Sequence, residues 1–183
     1  MITKIILACV SLVLLIYMAW PQPASVEDFA VLPNSVRSTL DGDVWQVPNV
    51  KAYFSNNFRS FVTDLYRADY QKLTGFPFPP LRLNYPPEFA FTAIKDQTQS
   101  TYLEEMVYPL RGSLFVNGYE PFLQDGSPRF RGAVKMVAGG QWFMTKATIR
   151  YYPSPLWVRL LVWGGINMAV FLLWKGFRTV RHG

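Results

Sequence analysis

Two apolar stretches decide the layout of this chain: residues 5–20, IILACVSLVLLIYMAW, and residues 156–174, LWVRLLVWGGINMAVFLLW. Each approaches the ~20 apolar residues with which an α-helix crosses a hydrocarbon core about 30 Å thick. The sequence between them mixes turns, charges and aromatic residues, as a folded domain does. The chain is therefore predicted to be a domain held at a membrane by both of its ends.

This layout divides the chain into four predicted parts. The predicted fold class is membrane-anchored α+β, in which two transmembrane helices flank a small extracytoplasmic domain with an antiparallel sheet and two or three helices. A signal peptide would also begin with an apolar run, but the run is long and no small-x-small cleavage pattern follows it, so an uncleaved anchor is favoured. The parts are an N-terminal transmembrane anchor at 1–20, the α+β domain at 21–154, a C-terminal transmembrane helix at 155–175 and a basic cytoplasmic tail at 176–183.

The distribution of charge predicts the orientation of the chain. The formal net charge is +6, yet all 12 acidic residues lie between Glu27 and Asp125. Lysine and arginine next to membrane spans tend to remain cytoplasmic. We therefore expect both termini to be cytoplasmic, and a nearly neutral domain outside the cytoplasm disfavours nucleic acid as a partner. The cations at or beyond the apolar stretches are Lys4, Arg159, Lys175, Arg178 and Arg181.

Histidine and cysteine are almost absent. Cys9 and His182 are the single residues of their types, and both lie outside the predicted domain. The domain therefore offers neither a histidine-based catalytic triad nor a typical zinc site. We predict no catalytic residue, no metal site and no cofactor. Paired carboxylates can cleave glycosidic bonds alone, so a carboxylate-only glycan hydrolase is the enzymatic alternative.

The clearest helix of the domain is predicted over Asn57–Leu73. Apolar residues recur there at helical spacing, and charged residues lie on the other side. Ser55 or Asn56 is placed to cap its start, and Gly75 to end it.

Proline shapes the next segment, residues 76–87, which is predicted to be neither a helix nor a central strand. It is read as a stiff spacer, with a polyproline docking surface as the alternative. A second helix is predicted over Pro87–Asp96 because proline suits the first helical position. A third, short helix is predicted from Thr101 to Pro109, since Thr101 and Glu104 have capping-box spacing.

Strand patterns dominate the last part of the domain. Leu114–Val116 is predicted to be a strand that turns at Asn117-Gly118. A hairpin is predicted over Phe130–Ala138 and Gln141–Tyr151, with Gly139-Gly140 as its two-residue turn. Its register places Ala138 opposite Gln141, Met136 opposite Phe143 and Arg129 opposite Arg150. One face would then carry five cations and no acid, either as an exposed soluble surface or as a lipid- or partner-binding face: Arg129, Arg131, Lys135, Lys146 and Arg150.

The second apolar stretch contains residues that a helix surrounded only by lipid does not need. Small residues allow close helix packing, and an amide near mid-span favours an interhelical hydrogen bond. Its partner would be either the first apolar stretch, through Ser11 or Ala8, or a helix of another protein. Arg159 is expected to extend towards the interface. The predicted packing residues are Gly164, Gly165, Asn167 and Ala169.

A second candidate site is a polar recognition patch, with an ordinary surface as the alternative. Its predicted members are Asp96, Tyr102, Glu104, Glu105, Arg111, Tyr119 and Glu120.

These features favour a non-catalytic accessory or scaffold subunit of a cell-envelope membrane complex, one that handles lipids or glycans. The expected partners are membrane lipids and an integral membrane protein, with a glycan as a further candidate. The alternatives are a stand-alone module that binds anionic lipid or polysaccharide and the glycan hydrolase that uses carboxylates alone.

Overall fold

A computed structural model describes residues 2–95 and 99–182 of the chain. These residues form two compact units. One unit comprises Met1–Pro21 together with Ser154–Gly183, and the other comprises Gln22–Pro153.

The first unit is a pair of helices, α1 (Ile2–Ala19) and α5 (Leu156–His182). Within the described residues, Leu156–Arg178 is the one helix that is long and apolar enough to cross a membrane, and Thr3–Ala19 is apolar but shorter. One membrane-spanning helix is thus indicated by length and composition.

The second unit is an α+β domain built on an antiparallel sheet, as predicted. In the described part of the chain, six strands form this sheet in the order β1-β2-β8-β5-β4-β3, and β6 and β7 form a separate ribbon. The strands are β1 (Ser35–Arg37), β2 (Val50–Ser55), β3 (Leu81–Tyr85), β4 (Tyr102–Val107), β5 (Ser113–Tyr119), β6 (Met136–Ala138), β7 (Gln141–Phe143) and β8 (Thr145–Tyr152). The helices of this unit are α2 (Asp41–Val44), α3 (Arg59–Thr74) and α4 (Ala90–Ala93), with 3-10 helices at Val26–Asp28 and Pro87–Phe89.

Helix α3 covers the first face of the sheet, where the main core lies. Alternate residues of β8, such as Ile149 and Tyr151, are buried there against Tyr66 and Tyr70 of α3. Tyr70 also packs edge-on against Tyr151, with ring centroids 5.8 Å apart. Large aromatic rings bury much apolar area per residue, so this tyrosine-rich core stabilises a domain that has no disulfide bond to support it.

The second face of the sheet carries a smaller core and more polar side chains. Leu103 and Val50 pack there with Ala90 and Ile94 from the α4 region. The pleat of β8 also directs Lys146 to this face, because successive side chains of a strand alternate between faces.

Helix α3 confirms the strongest helix prediction. It spans Arg59–Thr74 and ends at Gly75, whose φ of 61° lies in the left-handed region that glycine adopts without strain. The predicted caps were wrong, because Phe58 occupies the N-cap position and makes no side-chain capping bond. Instead, the buried Glu120 carboxylate accepts a hydrogen bond from the Arg59 backbone N–H at 2.5 Å.

The proline-rich segment is neither a helix nor a central strand, as predicted, whereas the helix predicted after it is much shorter than expected. Residues 81–85, in the proline-rich segment, form β3, an edge strand that needs few backbone donors. The second predicted helix is a 3-10 turn at Pro87–Phe89 followed by the single helical turn of α4. The third predicted helix was wrong, because the stretch that begins at Thr101 forms β4.

The predicted turn at Asn117-Gly118 was also wrong, since both residues lie within β5. Gly118 pairs with Tyr102 of β4, and a Cβ atom on Gly118 would come within 2.1 Å of the Tyr102 ring. Glycine is therefore present here because an aromatic ring occupies the space above the backbone, and not because the chain turns.

The hairpin prediction was correct only near its turn. Met136 faces Phe143, and Ala138 faces Gln141 across Gly139-Gly140, as predicted. The predicted pairing farther from the turn was wrong, because β8 leaves the ribbon at Thr145 and pairs with β2 and β5. As a central strand of the sheet, β8 forms hydrogen bonds with two neighbouring strands. In a long isolated hairpin it would have only one such neighbour.

Candidate functional site

The five cations predicted to share one hairpin face do not share it. Arg131 and Lys135 are exposed in the segment before β6, and Arg129 pairs with Glu120 at 3.2 Å. Lys146 and Arg150 lie on the second face of the main sheet. Arg150 is opposite Val50 and Phe115, so the predicted pairing of Arg129 with Arg150 was wrong.

Glu104 is a buried carboxylate held by two arginines. Arg82 donates through Nη2 to Oε1 at 2.9 Å and through Nε to Oε2, and Arg59 donates through Nε to Oε1 at 2.6 Å. Such charge-assisted bonds are among the stronger ones in proteins and occupy both oxygens. Glu104 therefore connects β4, β3 and the start of α3, and it is not the helix cap that the sequence predicted.

The other two candidate acids also have partners within the fold. Glu105 lies on the opposite sheet face and accepts hydrogen bonds from Tyr85 Oη at 2.6 Å and Ser113 Oγ at 2.5 Å. The bond to this carboxylate raises the pKa of Tyr85 to about 12. Burial raises the pKa of Glu120, which also accepts bonds from the Arg59 backbone and from Arg129. Glu104 and Glu120 thus share a donor residue, Arg59, whereas Glu105 lies on the other face of the sheet.

Only some members of the predicted polar patch come together in the fold. Arg59 donates to Glu104 through Nε and to Glu120 through its backbone N–H, and its guanidinium lies over the Tyr102 ring. Tyr102 and Glu104 lie under α3, whereas Glu105 lies on the other side of the sheet. Arg111 is buried in the turn between β4 and β5, with its guanidinium over the rings of Phe76 and Tyr108. Tyr119 and Glu120 lie at the far end of β5, and Asp96 lies outside the described residues.

In the helical unit, Asn167 makes the interhelical hydrogen bond that its position predicted. Ser11 Oγ donates to Asn167 Oδ1 at 2.6 Å, and Trp163 Nε1 donates to the Ser11 carbonyl at 3.0 Å. This contact is with the chain's own first helix, one of the two partners that the sequence left open. Gly165 and Ala169 are exposed, and a Cβ atom on Gly164 or Gly165 would have no neighbour within 4 Å.

Arg159 has a different role from the one expected. Its Nη1 donates to the carbonyl oxygens of Met18 at 2.6 Å and Trp20 at 3.0 Å, and the residue is buried. The last carbonyls of a helix lack intrahelical donors. Arg159 therefore satisfies the C-terminal end of α1 instead of extending towards water.

Residues 129–142, here named the arm, form an exposed projection of the α+β domain. Val134, Val137 and Trp142 are 68%, 57% and 64% exposed. The arm also contains three cations and no acidic residue, because Asp125 is the last acid of the chain. Exposed apolar residues next to cations are typical of protein or membrane contact surfaces.

A cavity of about 520 Å³ opens on the second sheet face. Its volume is within the range of small-molecule sites. Of the residues that the structure describes, three basic ones, Lys95, Lys146 and Arg150, line it together with one acid, Asp43. The remaining lining residues are mostly apolar: Leu40, Gly42, Gln46, Val47, Pro48 and Phe91.

The floor of this cavity is a buried ion pair. Lys146 Nζ lies 3.1 Å from the Asp43 carboxylate, and both residues are about 5% exposed. Ser38 Oγ donates to the same carboxylate at 2.5 Å. Buried charges are tolerated only when they are paired and hydrogen-bonded, as here. Lys146 is thereby fixed in place by Asp43, and its charge is balanced.

The other two cations of the cavity are less constrained. Arg150 donates through Nη1 to the Ala93 carbonyl at 3.3 Å and lies over the Tyr152 ring at 4.6 Å. These contacts fix the guanidinium plane. Lys95 is exposed at the end of α4 and has a φ of 64°.

The chain matches no protein-family model, no curated protein and no solved structure at a significant level of similarity. Among the described residues, no group of three or more histidine, cysteine, aspartate and glutamate residues could hold a metal ion.

Sequence reasoning did not find the cavity. It assigned no role to Asp43, and it placed Lys146 on a hairpin face. Asp43 and Lys146 are 103 residues apart, so no local pattern marks them as a pair. Only the order of the strands, with β8 next to β2, brings them together.

Proposed function

We propose that this chain is a non-catalytic accessory or scaffold subunit of a cell-envelope membrane complex, one that handles lipids or glycans. Helices α1 and α5 both cross the membrane in this proposal, and the α+β domain lies outside the cytoplasm. The basic tail after Trp174 and the N-terminal Lys4 support this orientation. The contacts of Ser11 and Asn167 support pairing of the two helices, because polar groups in lipid need partners.

The arm is the observation that carries the subunit proposal. Tryptophan and arginine are enriched at protein interfaces, and Trp142 with Val137 forms an exposed apolar pair on one face of the ribbon. Arg131 and Lys135 precede this pair in the chain, and no acidic residue lies between Asp125 and the end of the arm. The complementary surface would be an apolar pocket rimmed by acidic residues on an integral membrane protein.

We do not propose the hydrolase alternative. A glycosidase of this kind needs two carboxyl groups about 5 to 10 Å apart that face one substrate. Glu104 and Glu105 are on opposite sheet faces. Glu104 and Glu120 both contact Arg59, but arginines occupy both oxygens of Glu104, and Glu120 is bonded by Arg129 and by the Arg59 backbone.

The test is co-purification of the full-length chain from its native membrane in mild detergent, followed by mass spectrometry. The double variant Val137→Ser, Trp142→Ser removes the apolar pair of the arm. We expect the unmodified chain to retain a stoichiometric membrane partner and this variant to lose it.

A matched control is the double variant Val31→Ser, Phe78→Ser, which removes one aliphatic and one aromatic side chain of similar exposure, 67% and 68%, from other parts of the domain. It should retain the partner. Absence of any partner, or equal loss in both variants, would count against docking through the arm.

A further inference from the structure

We propose that the cavity on the second sheet face binds an amphiphile with one anionic headgroup, such as a phosphate monoester that carries an aliphatic chain. This inference goes beyond the proposed subunit role and does not rest on it, because no residue of the arm lines the cavity.

The charge of the cavity selects an anion. Three cations face one carboxylate, and that carboxylate is already paired with Lys146 at 3.1 Å. Among the described lining residues, this leaves two positive charges, on Lys95 and Arg150. A concave site with walls of low dielectric strengthens the attraction between these charges and an anion.

The guanidinium of Arg150 is held in an orientation that suits an anionic ligand. Its hydrogen bond to the Ala93 carbonyl involves Nη1, and its stacking over Tyr152 orients the planar guanidinium. The Nε and Nη2 donors make no hydrogen bond with the described residues and lie on one edge of the fork. That edge fits two oxygens of a phosphate or carboxylate.

Lys95 occupies a position where lysine is unfavourable. Its backbone N–H donates to the Ala90 carbonyl, and its φ of 64° is the left-handed conformation that normally selects glycine or asparagine at a helix end. A lysine in this conformation costs about 1 kcal/mol. Lys95 lines the cavity, so its ammonium group contributes a positive charge to the site.

Apolar side chains at the mouth of the cavity favour a ligand that also has an apolar part. Leu40 and Phe91 line it and are 57% and 65% exposed. Exposed apolar side chains next to two cations suit a ligand whose charged group enters the cavity and whose aliphatic part lies across the mouth. An inorganic anion alone would leave this surface in water.

Binding is tested with the full-length chain in phosphatidylcholine nanodiscs, by calorimetric titration with hexyl phosphate, inorganic phosphate and hexanol. We expect hexyl phosphate to bind at least tenfold more tightly than either fragment. Equal binding of hexanol, or no binding of hexyl phosphate, would overturn the proposal.

Variants show whether the ligand lies in this cavity. Arg150→Gln and Lys95→Gln should each raise the Kd of hexyl phosphate about tenfold, since each removes a charge-assisted contact. Arg131→Gln removes the same charge from the arm and should leave the Kd unchanged. Lys95 is exposed, so Lys95→Gln tests the site even if Arg150→Gln disturbs folding. A Kd that Lys95→Gln does not change, or that Arg131→Gln changes equally, would contradict the proposed site.

A last titration identifies the source of the headgroup. Nanodiscs that contain one fifth phosphatidic acid should compete with hexyl phosphate if a bilayer lipid is the ligand. Unchanged hexyl phosphate binding in these nanodiscs would assign the site to a free amphiphile.

Discussion

At the scale of single residues, Asp43 and Lys146 form an ion pair in which both side chains are buried. Removing one partner of a buried ion pair is strongly destabilising, at a cost of about 3–5 kcal/mol, because the remaining charge loses its counterion. We expect Asp43→Asn to lower the free energy of unfolding by about this amount. Urea denaturation of the full chain in mild detergent, followed by near-UV circular dichroism, measures the change.

Two further variants separate charge burial from a general effect of mutation. Asp43→Asn combined with Lys146→Met should recover at least half of the loss, because no unpaired charge remains. Asp64→Asn breaks an exposed pair with Arg82 and should cost less than about 1 kcal/mol. A double variant as unstable as Asp43→Asn alone would show that the lysine charge is not the cause.

Tyr85 offers a second test at this scale, through its titration. Its hydrogen bond to the Glu105 carboxylate raises its pKa to about 12 from a value of 10. Because the folded pKa is the higher one, this bond contributes stability below about pH 10 and loses that contribution as the pH rises to about 12. Glu105→Gln should return the Tyr85 pKa towards 10.

The measurement is the absorbance at alkaline pH of each protein minus that of its Tyr85→Phe counterpart, which isolates one phenol. Glu88→Gln, which removes an exposed acid of the same charge, is the control and should leave the Tyr85 transition near pH 12. A transition that both substitutions lower equally would point to the net charge of the domain instead of the Glu105 bond.

At the scale of elements, Gly118 explains how β4 and β5 pack. The Tyr102 ring lies over this glycine, so Gly118→Ala would force a Cβ atom to within 2.1 Å of a buried ring. We expect a loss of about 1–3 kcal/mol in the free energy of unfolding, from overpacking. Gly42→Ala has no neighbour within 4 Å and should be nearly neutral.

Tyr102→Leu tests the cause. If the ring is responsible, the costs of Gly118→Ala and Tyr102→Leu should combine to less than their sum, because the smaller side chain leaves room for the added methyl group. Strict additivity would instead assign the cost to the strand backbone.

The elements that the sequence predicted well are those specified by local periodicity. Helix α3 and its end at Gly75 follow from apolar spacing and from the freedom of glycine, and the first pairs of the hairpin follow from its two-residue turn. The failures share one cause, since Thr101–Pro109 and the outer part of the hairpin depend on which strands are neighbours. Strand order is a property of the whole sheet, and no local pattern encodes it.

The candidate sites also divide into one that the sequence predicted and one that depends on the order of the strands. Asn167 was singled out because an amide in lipid needs a partner anywhere in the structure, and it has one in Ser11. The cavity was missed because its cations come from α4 and β8, and because its acid comes from a short helix before β2. Each of these residues looks ordinary in its own segment.

At the scale of the whole molecule, the number of membrane crossings determines where the arm and the cavity act. Helix α1 has 18 residues, a length of roughly 27 Å at 1.5 Å per residue, slightly less than a typical hydrocarbon core. Local thinning of the bilayer and the reach of Lys4 can compensate for a difference of this size. We therefore expect two crossings.

Cysteine labelling tests this expectation, since Cys9 is the only cysteine of the chain. In a Cys9→Ser background, single cysteines at Thr3, Gln124 and His182 would be treated with a membrane-impermeant maleimide on intact cells. With two crossings and cytoplasmic termini, Gln124→Cys should react at once, and the two terminal cysteines only after permeabilisation. Labelling of Thr3→Cys on intact cells would establish a single crossing by α5, and protection of Gln124→Cys would place the arm and the cavity in the cytoplasm.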